Sequence, residues 1–466
     1  MIKQTTEQKG SLLLYLIIVT AVFTMVMFPV VSVFTGKIQL LRLSIEKEKA
    51  MQIADAGINY YQWHLAHFPN DYKDGTGASG PYVHDYVDFD TQKNVGKFSL
   101  TITPPLTGST IVTIQSTGWT NENPNITRTI TVKYGIQSLA KYSILNNGPV
   151  WIYYSPQIFS GQVHSNNGVR FDVIGNAPIF SAKSTYTCPS WQECPSETEP
   201  GVWGSGNPSF WQFPVPAVDF SAFTSNLASI KSLAQSGGIY LPPSNAQGYS
   251  LVFNNSGSVS VYKVTSLLSN PTGWTYDVDM NWVAKNQYTD YSERTFQYEV
   301  SVPSNGAIYI EDNIWVEGVV NGRVTVAAAQ LPYNPATAPT IYIPHSIVYS
   351  AKDGTCVLGL IGQKDIIPTY HADSNLEVDA AVISQNSSFQ FFDYPGNIKD
   401  SISIYGAIIE FGWWFDNFVW TSGINNNVLA GYTNSYYNYD SNLLYGPPPS
   451  FPLSSSGYQL INWTSN

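Results

Sequence analysis

The longest hydrophobic run of the chain lies near its N-terminus. No charged residue occurs from Gly10 to Gly36, and Lys9 and Lys37 flank this run. A helix of about 20 apolar residues can cross a bilayer, so the pattern predicts one membrane-spanning helix. We expect Pro29 to kink it, because a proline ring displaces the carbonyl four residues earlier. A plain membrane anchor would account for all of these features.

The helical pattern continues beyond the uncharged run. Between residues 37 and 66, apolar residues recur at near-helical spacing among charged ones. The apolar positions are Ile38, Leu41, Ile45, Ile53, Ile58, Tyr61 and Leu65. The pattern predicts one helix over residues 11–66, apolar in its first half and amphipathic in its second. Ala54, Ala56 and Gly57 are small enough to let the second half approach a sheet closely.

Alternating hydrophobic and polar residues after this helix predict an antiparallel sheet. The clearest runs cover residues 97–103, 110–116 and 127–132, separated by Pro, Gly and Asn. Alternation with a period of two buries one face of such a sheet, and the amphipathic half of the helix is its natural partner. We therefore assign this sheet to residues 67–137.

Short apolar triplets recur between turns in the following region, residues 138–430. Val324, Ile341, Leu358 and Leu376 begin triplets that start 17, 17 and 18 residues apart. A quasi-period of this kind is typical of a parallel β-solenoid, and we expect these four residues to stack on successive rungs. A β-sandwich is the alternative, and it would show longer alternating strands.

Two segments depart from the triplet pattern. Residues 217–300 are interpreted as a lateral insertion that begins with a short amphipathic helix. Residues 431–466 are rich in Tyr and Pro, and we expect an extended strap over the solenoid. The predicted fold class is mainly β with one long N-terminal α-helix: a helix and an antiparallel sheet, followed by a parallel β-solenoid-like domain.

Composition narrows the function classes. The chain has 466 residues, of which 12% are charged and 14% aromatic, as is typical of turn-rich extracellular β proteins. A net charge of −11 argues against general binding to a polyphosphate backbone. Cys188 and Cys194 lie six residues apart, so either a local disulfide in an oxidising compartment or two free thiols fits.

The sequence offers little catalytic chemistry. No phosphate-binding loop, nucleophile elbow or zinc-protease motif occurs, and His371 with Asp373 is best explained as a pair of solvated turn residues. Carboxylates that could serve a polysaccharide-cleaving β-helix are Asp277, Asp279, Glu311 and Asp312. We expect no catalytic residue, metal ligand or cofactor, while calcium binding in the Asp- and Asn-rich turns stays open.

A dense aromatic segment offers a milder functional idea. Trp413, Trp414 and Trp420 lie close together in the sequence, and such aromatics can stack on sugars or bases. Burial against the rest of the domain explains them equally well.

The two ends of the N-terminal helix carry a family resemblance. Lys9-Gly10-Ser11 precedes the uncharged run, and Ala54-Asp55-Ala56-Gly57-Ile58 closes the amphipathic half. Together they resemble the N-terminal segment of PilX-like minor pilins of type IV pili, over residues 1–66. The solenoid region adds Gly318-Val-Val-Asn-Gly-Arg-Val-Thr-Val326, which is similar to phrases in large PilX-like proteins.

This resemblance implies a maturation route and partners. Residues 1–10 would be a leader that a prepilin peptidase removes between Gly10 and Ser11, with methylation of the new N-terminus. The chain would be a single-pass, extracytoplasmic protein of the inner membrane before assembly, and then part of a pilus or the cell surface. Its partners would be other pilins through the helix, and a surface glycan or DNA through the β-domain.

Three positions depart from the family pattern, and one is Pro29, since pilins usually place this proline about three residues later. Most pilins carry Phe where this chain has Ser11 and Glu where it has Tyr15. That Glu neutralises the N-terminal ammonium of a neighbouring subunit inside an apolar core, so Tyr15 fits a subunit with no neighbour above it. We therefore expect a minor pilin with a structural or adhesive role at a pilus tip. A membrane-tethered carbohydrate-active enzyme and a static cell-surface protein remain the alternatives.

Overall fold

The computed structural model describes residues 11–153, 158–220, 222–277, 281–285, 287–412, 414–415, 418–422 and 427–465. The chain divides into two compact units. The first unit contains residues up to Pro105, Ile111–Gly135 and the residues from Tyr458 onward, and the second contains Leu106–Thr110 and Ile136–Gly457.

The first unit is one long helix and an antiparallel sheet. Helix α1 (Ser11–His67) runs through Pro29 without interruption. The strands are β1 (Tyr82–Val87), β2 (Asn94–Thr103), β3 (Ile111–Thr120) and β4 (Thr127–Ser138), and neighbours pair in an antiparallel meander. The C-terminal strand Leu453–Ser465 lies beside β4. The helix and three strands agree with the sequence-based prediction, whereas the first strand was not predicted. The last strand was expected as part of a strap over the solenoid, and it instead pairs with β4 of this sheet.

The core of this unit forms where the second half of α1 covers one face of the sheet. Alternation along the strands places every second side chain on that face, which confirms the predicted helix on an antiparallel sheet. The buried core residues are Ile53, Ala54, Ile58, Tyr61 and Leu65 of the helix with Tyr82, Phe98, Leu100, Val112, Ile114, Ile130, Val132 and Tyr134 of the sheet.

The second unit consists mostly of short strands. The first group is β5 (Tyr142–Asn146), β6 (Val150–Ile152), β7 (Gln162–Ser165), β8 (Val169–Phe171), β9 (Ile179–Ser181), β10 (Thr185–Thr187), β11 (Thr198–Pro200), β12 (Val202–Trp203) and β13 (Trp211–Gln212). Helix α2 (Ala222–Gln235) follows. Short 3-10 turns occur at Leu139–Lys141, Ser190–Gln192, Pro208–Phe210 and Ser441–Leu444.

Further strands complete this unit. They are β14 (Ile239–Leu241), β15 (Gly248–Asn254), β16 (Ser258–Leu268), β17 (Trp274–Tyr276), β18 (Trp282–Ala284), β19 (Asp290–Ser301), β20 (Ala307–Ile310), β21 (Ile314–Val320), β22 (Arg323–Ala328), β23 (Ile341–Ile343), β24 (Ile347–Tyr349), β25 (Val357–Gly362), β26 (Ile366–Pro368), β27 (Asn375–Ser384), β28 (Ile398–Glu410), β29 (Trp414–Phe415), β30 (Val419–Ser422) and β31 (Asn427–Tyr439). The C-terminal strand of the first unit's sheet, Leu453–Ser465, is numbered β32.

Parallel stacking organises these strands, as predicted. One continuous parallel stack runs in the order β14, β20, β22, β25, β27, β28, β5, β7, β9 and β13. Successive rungs place a buried apolar ladder in register: Ile239, Ile308, Val326, Leu360, Val382, Ile408, Ile144, Val163 and Ile179. A β-sandwich would pair its strands in antiparallel order, so this pattern excludes it.

The order of the rungs along the stack is not the order of the chain. The chain enters in the middle at β5, reaches one end at β13, and begins again at the other end with β14. It then returns to the middle, where β28 pairs with β5. The segment between β13 and β14, which contains α2, therefore joins the two ends of the stack.

The expected stacking of the four triplets is wrong in part. Val324 does pair with Leu358 in consecutive rungs. Ile341 instead pairs with Ile314 and Ile366 on a second parallel face, and Leu376 pairs with Ile402. Triplets about 17 residues apart therefore lie on different faces of the coil. One full rung is longer than this spacing.

The predicted boundaries of the solenoid also need correction. Within residues 217–300, β14 and β15 are rungs, because they pair in parallel with β20 and β21. Strand β31 is likewise a rung, because it pairs in parallel with β28, and its residues Tyr432 and Tyr437 are buried in the core. Residues 440–452 do cover the outer face of the stack, where Leu443 and Phe451 are buried with α2 residues.

Candidate functional site

The first half of α1 presents an apolar surface that the described chain leaves uncovered. By length and composition this helix can cross a membrane, and none of its most apolar window is buried. Apolar side chains from Leu12 to Ile45 are exposed, including Tyr15 at 66%. A continuous apolar surface of this size is stable only against lipid or other apolar helices.

The predicted processing site borders the described residues. Gly10 lies outside them, and Ser11 is the first residue of α1. Tyr15 lies in the first turns of the helix, and Pro29 lies inside it.

The motif that closes the helix lies against the sheet. Ala54 is buried, and a Cβ atom added at Gly57 would collide with Ser116 and the Phe98 ring. A Cβ added at Gly118 of β3 would meet the backbone of Ala54. Small residues on both surfaces therefore set a close contact between helix and sheet.

The other two motif residues lie away from this contact. Ala56 is half-buried and Asp55 is exposed. The Asp55 carboxylate accepts a hydrogen bond of 3.2 Å from the Asn59 amide.

Glu46 lies on α1, N-terminal to this motif, and three donors form hydrogen bonds to its carboxylate. Glu46 accepts hydrogen bonds from Lys49 Nζ at 2.9 Å, Thr120 Oγ1 at 2.8 Å and Asn123 Nδ2 at 3.1 Å. These hydrogen bonds lower the pKa of Glu46 to about 2, and the bond from Lys49 has the largest effect. Sequence analysis missed this site, although Glu46 and Lys49 have the three-residue spacing of a helical ion pair.

A second candidate site is an aromatic cleft of about 590 Å³ in the second unit. Its described lining residues are Trp151, Tyr153, Arg170, Asp172, Glu193, Tyr276, Trp282, Asp393, Trp420, Thr421 and Leu429. We call this site the aromatic cleft. Its size falls within the range of small-molecule sites in proteins.

One wall of the aromatic cleft contains Trp151 and Arg170, which belong to a ladder across three rungs. Trp151 of β6, Arg170 of β8 and Trp203 of β12 occupy equivalent positions in parallel register. Stacking therefore places the Arg170 guanidinium 4.2 Å from the Trp151 ring and 4.8 Å from the Trp203 ring. This arrangement is a cation–π sandwich.

The opposite wall comes from two further segments. The hairpin β17–β18 pairs Tyr276 with Trp282, and their ring centroids lie 4.9 Å apart. The rings of Trp282 and Trp420 of β30 form a T-shaped pair with centroids 5.4 Å apart. Trp420 is anchored by its Nε1, which donates to the Phe391 carbonyl at 2.8 Å. Trp282 is 43% exposed, whereas Trp420 is 9% exposed.

Three carboxylates line the aromatic cleft. Asp172 Oδ2 accepts hydrogen bonds from Trp151 Nε1 at 2.8 Å and Arg170 Nε at 2.7 Å, and Glu193 is exposed. The main chain of Asp393 pairs with Trp274. Asp393 Oδ1 is buried without a hydrogen-bond partner among the described residues, and burial raises the pKa of Asp393.

Of the three tryptophans proposed for ligand contact, the structure places Trp420 in the aromatic cleft. Trp413 lies outside the described residues, and for Trp414 only the backbone is described, in β29. Cys188 and Cys194 are joined in a disulfide with Cα atoms 6.3 Å apart. Trp151 and Trp282 were not predicted, because long-range contacts bring their segments together: the rung register for Trp151 and the ring contact with Trp420 for Trp282.

The other candidate groups do not converge. His371 lies 3.4 Å from Asp290, whereas Asp373 pairs with His345 at 2.8 Å. Asp279 lies outside the described residues, and neither Asp277, Glu311 nor Asp312 lines the aromatic cleft. In the described chain, no three His, Cys, Asp or Glu side chains are grouped as metal ligands.

Comparison with solved structures finds a likeness to a pilin. No protein-family model matches the chain, and no curated protein matches it. The crystal structure of the competence-associated pilin ComZ from Thermus thermophilus matches at 12% sequence identity, over 90% of this chain and 97% of that chain, with a TM-score of 0.28. A TM-score this low does not establish a shared fold.

Proposed function

We propose that this protein is a membrane-anchored, PilX-like minor pilin: a structural or adhesive, non-enzymatic subunit of a type IV pilus or a related surface filament. One observation carries the proposal. A single helix of 57 residues exposes an uncharged apolar half and packs its other half onto an antiparallel sheet.

This architecture suits a subunit that moves from a membrane into a fibre. The apolar half of α1 needs lipid around it before assembly and apolar helices of other pilins afterwards. The second half, with Ala54 and Gly57 against the sheet, attaches that helix to a folded head. The partners are thus the inner membrane, a prepilin peptidase and other pilins.

Tyr15 supports a place at the tip. In the shaft of a pilus, a carboxylate at this position neutralises the ammonium of a neighbouring subunit in an apolar core. A tip subunit has no such neighbour, so an aromatic side chain there leaves no charge unpaired. Tyr15 is exposed, and it is free to contact lipid or an adjacent helix.

Maturation gives the test of this proposal. Mass spectrometry of the protein from membranes should show a chain that begins at methylated Ser11, because Lys9-Gly10 precedes the uncharged run. Gly10→Leu should keep the leader, since a bulky residue blocks cleavage at that bond. Gly36→Leu is the matched control: open space surrounds Gly36, so this variant should be processed normally. Mature protein that still begins at Met1 would refute the proposal.

A second candidate function is a membrane-tethered carbohydrate-active enzyme. The three carboxylates of the aromatic cleft favour it, because glycoside hydrolysis uses a pair of such groups. Asp172, however, already accepts hydrogen bonds from Trp151 and Arg170. Chromatography of neutral oligosaccharides after incubation with the protein separates the two functions, since only an enzyme releases shorter products.

A further inference from the structure

We propose that the aromatic cleft binds a neutral oligosaccharide, with a sugar ring stacked on Trp282 and sugar hydroxyls donating hydrogen bonds to Asp393. This inference names the ligand class of the adhesive role and rests on the proposed function for its biological purpose. The binding itself requires only the second unit, so it can be tested apart from assembly.

The aromatic surface fits the apolar face of a sugar ring. Trp282 is 43% exposed, and its ring is fixed by Tyr276 at 4.9 Å and by Trp420 at 5.4 Å. A ring that is held by its neighbours and still exposed loses little side-chain entropy when a ligand stacks on it. The cleft of about 590 Å³ also has room for more than one sugar ring.

A polar acceptor lies in the same cleft. Asp393 Oδ1 is buried and has no hydrogen-bond partner within the described part of the chain. A buried carboxylate oxygen without a donor is unfavourable. Sugar hydroxyls are donors, and hydrogen bonds to a carboxylate are stronger than those between neutral groups.

Charge decides between a neutral ligand and a polyanion. Among the described lining residues, the cation is Arg170, and the carboxylates are Asp172, Glu193 and Asp393. Arg170 is already paired with Asp172 and lies between two tryptophan rings. A nucleic acid or an acidic polysaccharide would therefore meet uncompensated negative charge, whereas a neutral sugar would not.

Binding is measured on the full chain in a detergent without a sugar headgroup. The probes are cello-, malto- and manno-oligosaccharides of three to six units, with heparin and single-stranded DNA as polyanions. We expect saturable quenching of tryptophan fluorescence by at least one neutral series, unchanged between low and high salt. Saturation by polyanions alone, weakened by salt, would overturn the proposal, as would no saturable binding by any neutral series.

Substitutions locate the binding. Trp282→Ala should weaken binding about tenfold, in line with the loss of one stacked ring. Trp282→Phe should retain part of the affinity, which separates lost stacking from misfolding. The matched control is Phe296→Ala, which removes another exposed aromatic of the same unit outside the cleft. Equal affinities of Trp282→Ala and Phe296→Ala would overturn the assignment.

Removal of the Asp393 charge should change the affinity in opposite directions for a neutral and for an anionic ligand. Asp393→Asn keeps the shape of the side chain and removes its charge. For a neutral sugar we expect weaker binding by about tenfold, because a charge-assisted hydrogen bond is lost. Stronger binding would indicate an anionic ligand and contradict the proposal. Failure of these tests leaves the Ser11 maturation test untouched, so the two proposals fail separately.

Discussion

Glu46 shows how one side chain joins two elements of the first unit. Its carboxylate lies on α1 and accepts hydrogen bonds from Thr120 and Asn123, at the end of β3 and in the following turn. Lys49 adds an ion pair at 2.9 Å. The helix is therefore attached to the sheet by polar contacts as well as by its apolar core.

Glu46→Gln should destabilise the first unit. At neutral pH we expect a loss of about 1–3 kcal/mol, because hydrogen bonds to a charged group are replaced by weaker neutral ones. The lowered pKa of Glu46 makes the stabilisation complete above about pH 4.5 and lost as the pH falls towards about 2. Thermal unfolding from pH 7 to pH 2 should show the difference from wild type narrowing over that window.

Glu48→Gln is the control for this change. Glu48 lies on the same helix and is exposed, so its charge should matter little to stability. Equal transition midpoints for the two variants at pH 7 would contradict the role given to Glu46.

The sequence predicts the surroundings of some residues and not of others. The exposure of Tyr15 follows from the uncharged run, and the burial of Ala54 and Gly57 follows from small residues on an amphipathic helix. Trp282 and Asp393 could not be predicted as parts of one site, because the contact of Trp282 with Trp420 and the pairing of Asp393 with Trp274 join distant segments.

The contact between α1 and the sheet gives a test at the level of elements. Gly57→Ala should destabilise the first unit by about 1–3 kcal/mol, because the added methyl group collides with Ser116 and Phe98. Gly36→Ala on the same helix meets open space, and it should be neutral or slightly stabilising. Thermal unfolding of both variants measures this contrast. Opposite or equal effects would contradict the close helix–sheet contact.

The parallel stack of the second unit shows, at the level of elements, why the triplet spacing gave a partly wrong prediction of strand pairing. A buried triplet has the same composition on any face of the coil, so Val324 and Ile341 look alike in the sequence. Their partners differ, since Val324 pairs with Leu358 and Ile341 pairs with Ile366. Parallel strands can thus be predicted from composition, whereas the face of each strand and the return of β28 to β5 depend on long-range pairing.

At the scale of the whole molecule, the two units suggest two tasks. The first unit contains the apolar helix, and the second contains the aromatic cleft. The second unit is also the larger of the two, and so large a domain on every subunit would crowd the shaft of a fibre. On the proposed function, a single copy at the tip would avoid this crowding and would present the cleft to a surface glycan.

Gold labelling of isolated fibres tests this account most directly. An epitope inserted into the exposed turn at residues 334–337 marks the second unit, and the Gly10→Leu variant with the same epitope is the control. The account predicts gold at one end of each labelled fibre for the wild type and none for Gly10→Leu. Gold spaced regularly along the shaft would contradict the tip position. Fibres without gold, with all of the protein in the membrane fraction, would contradict the filament role itself.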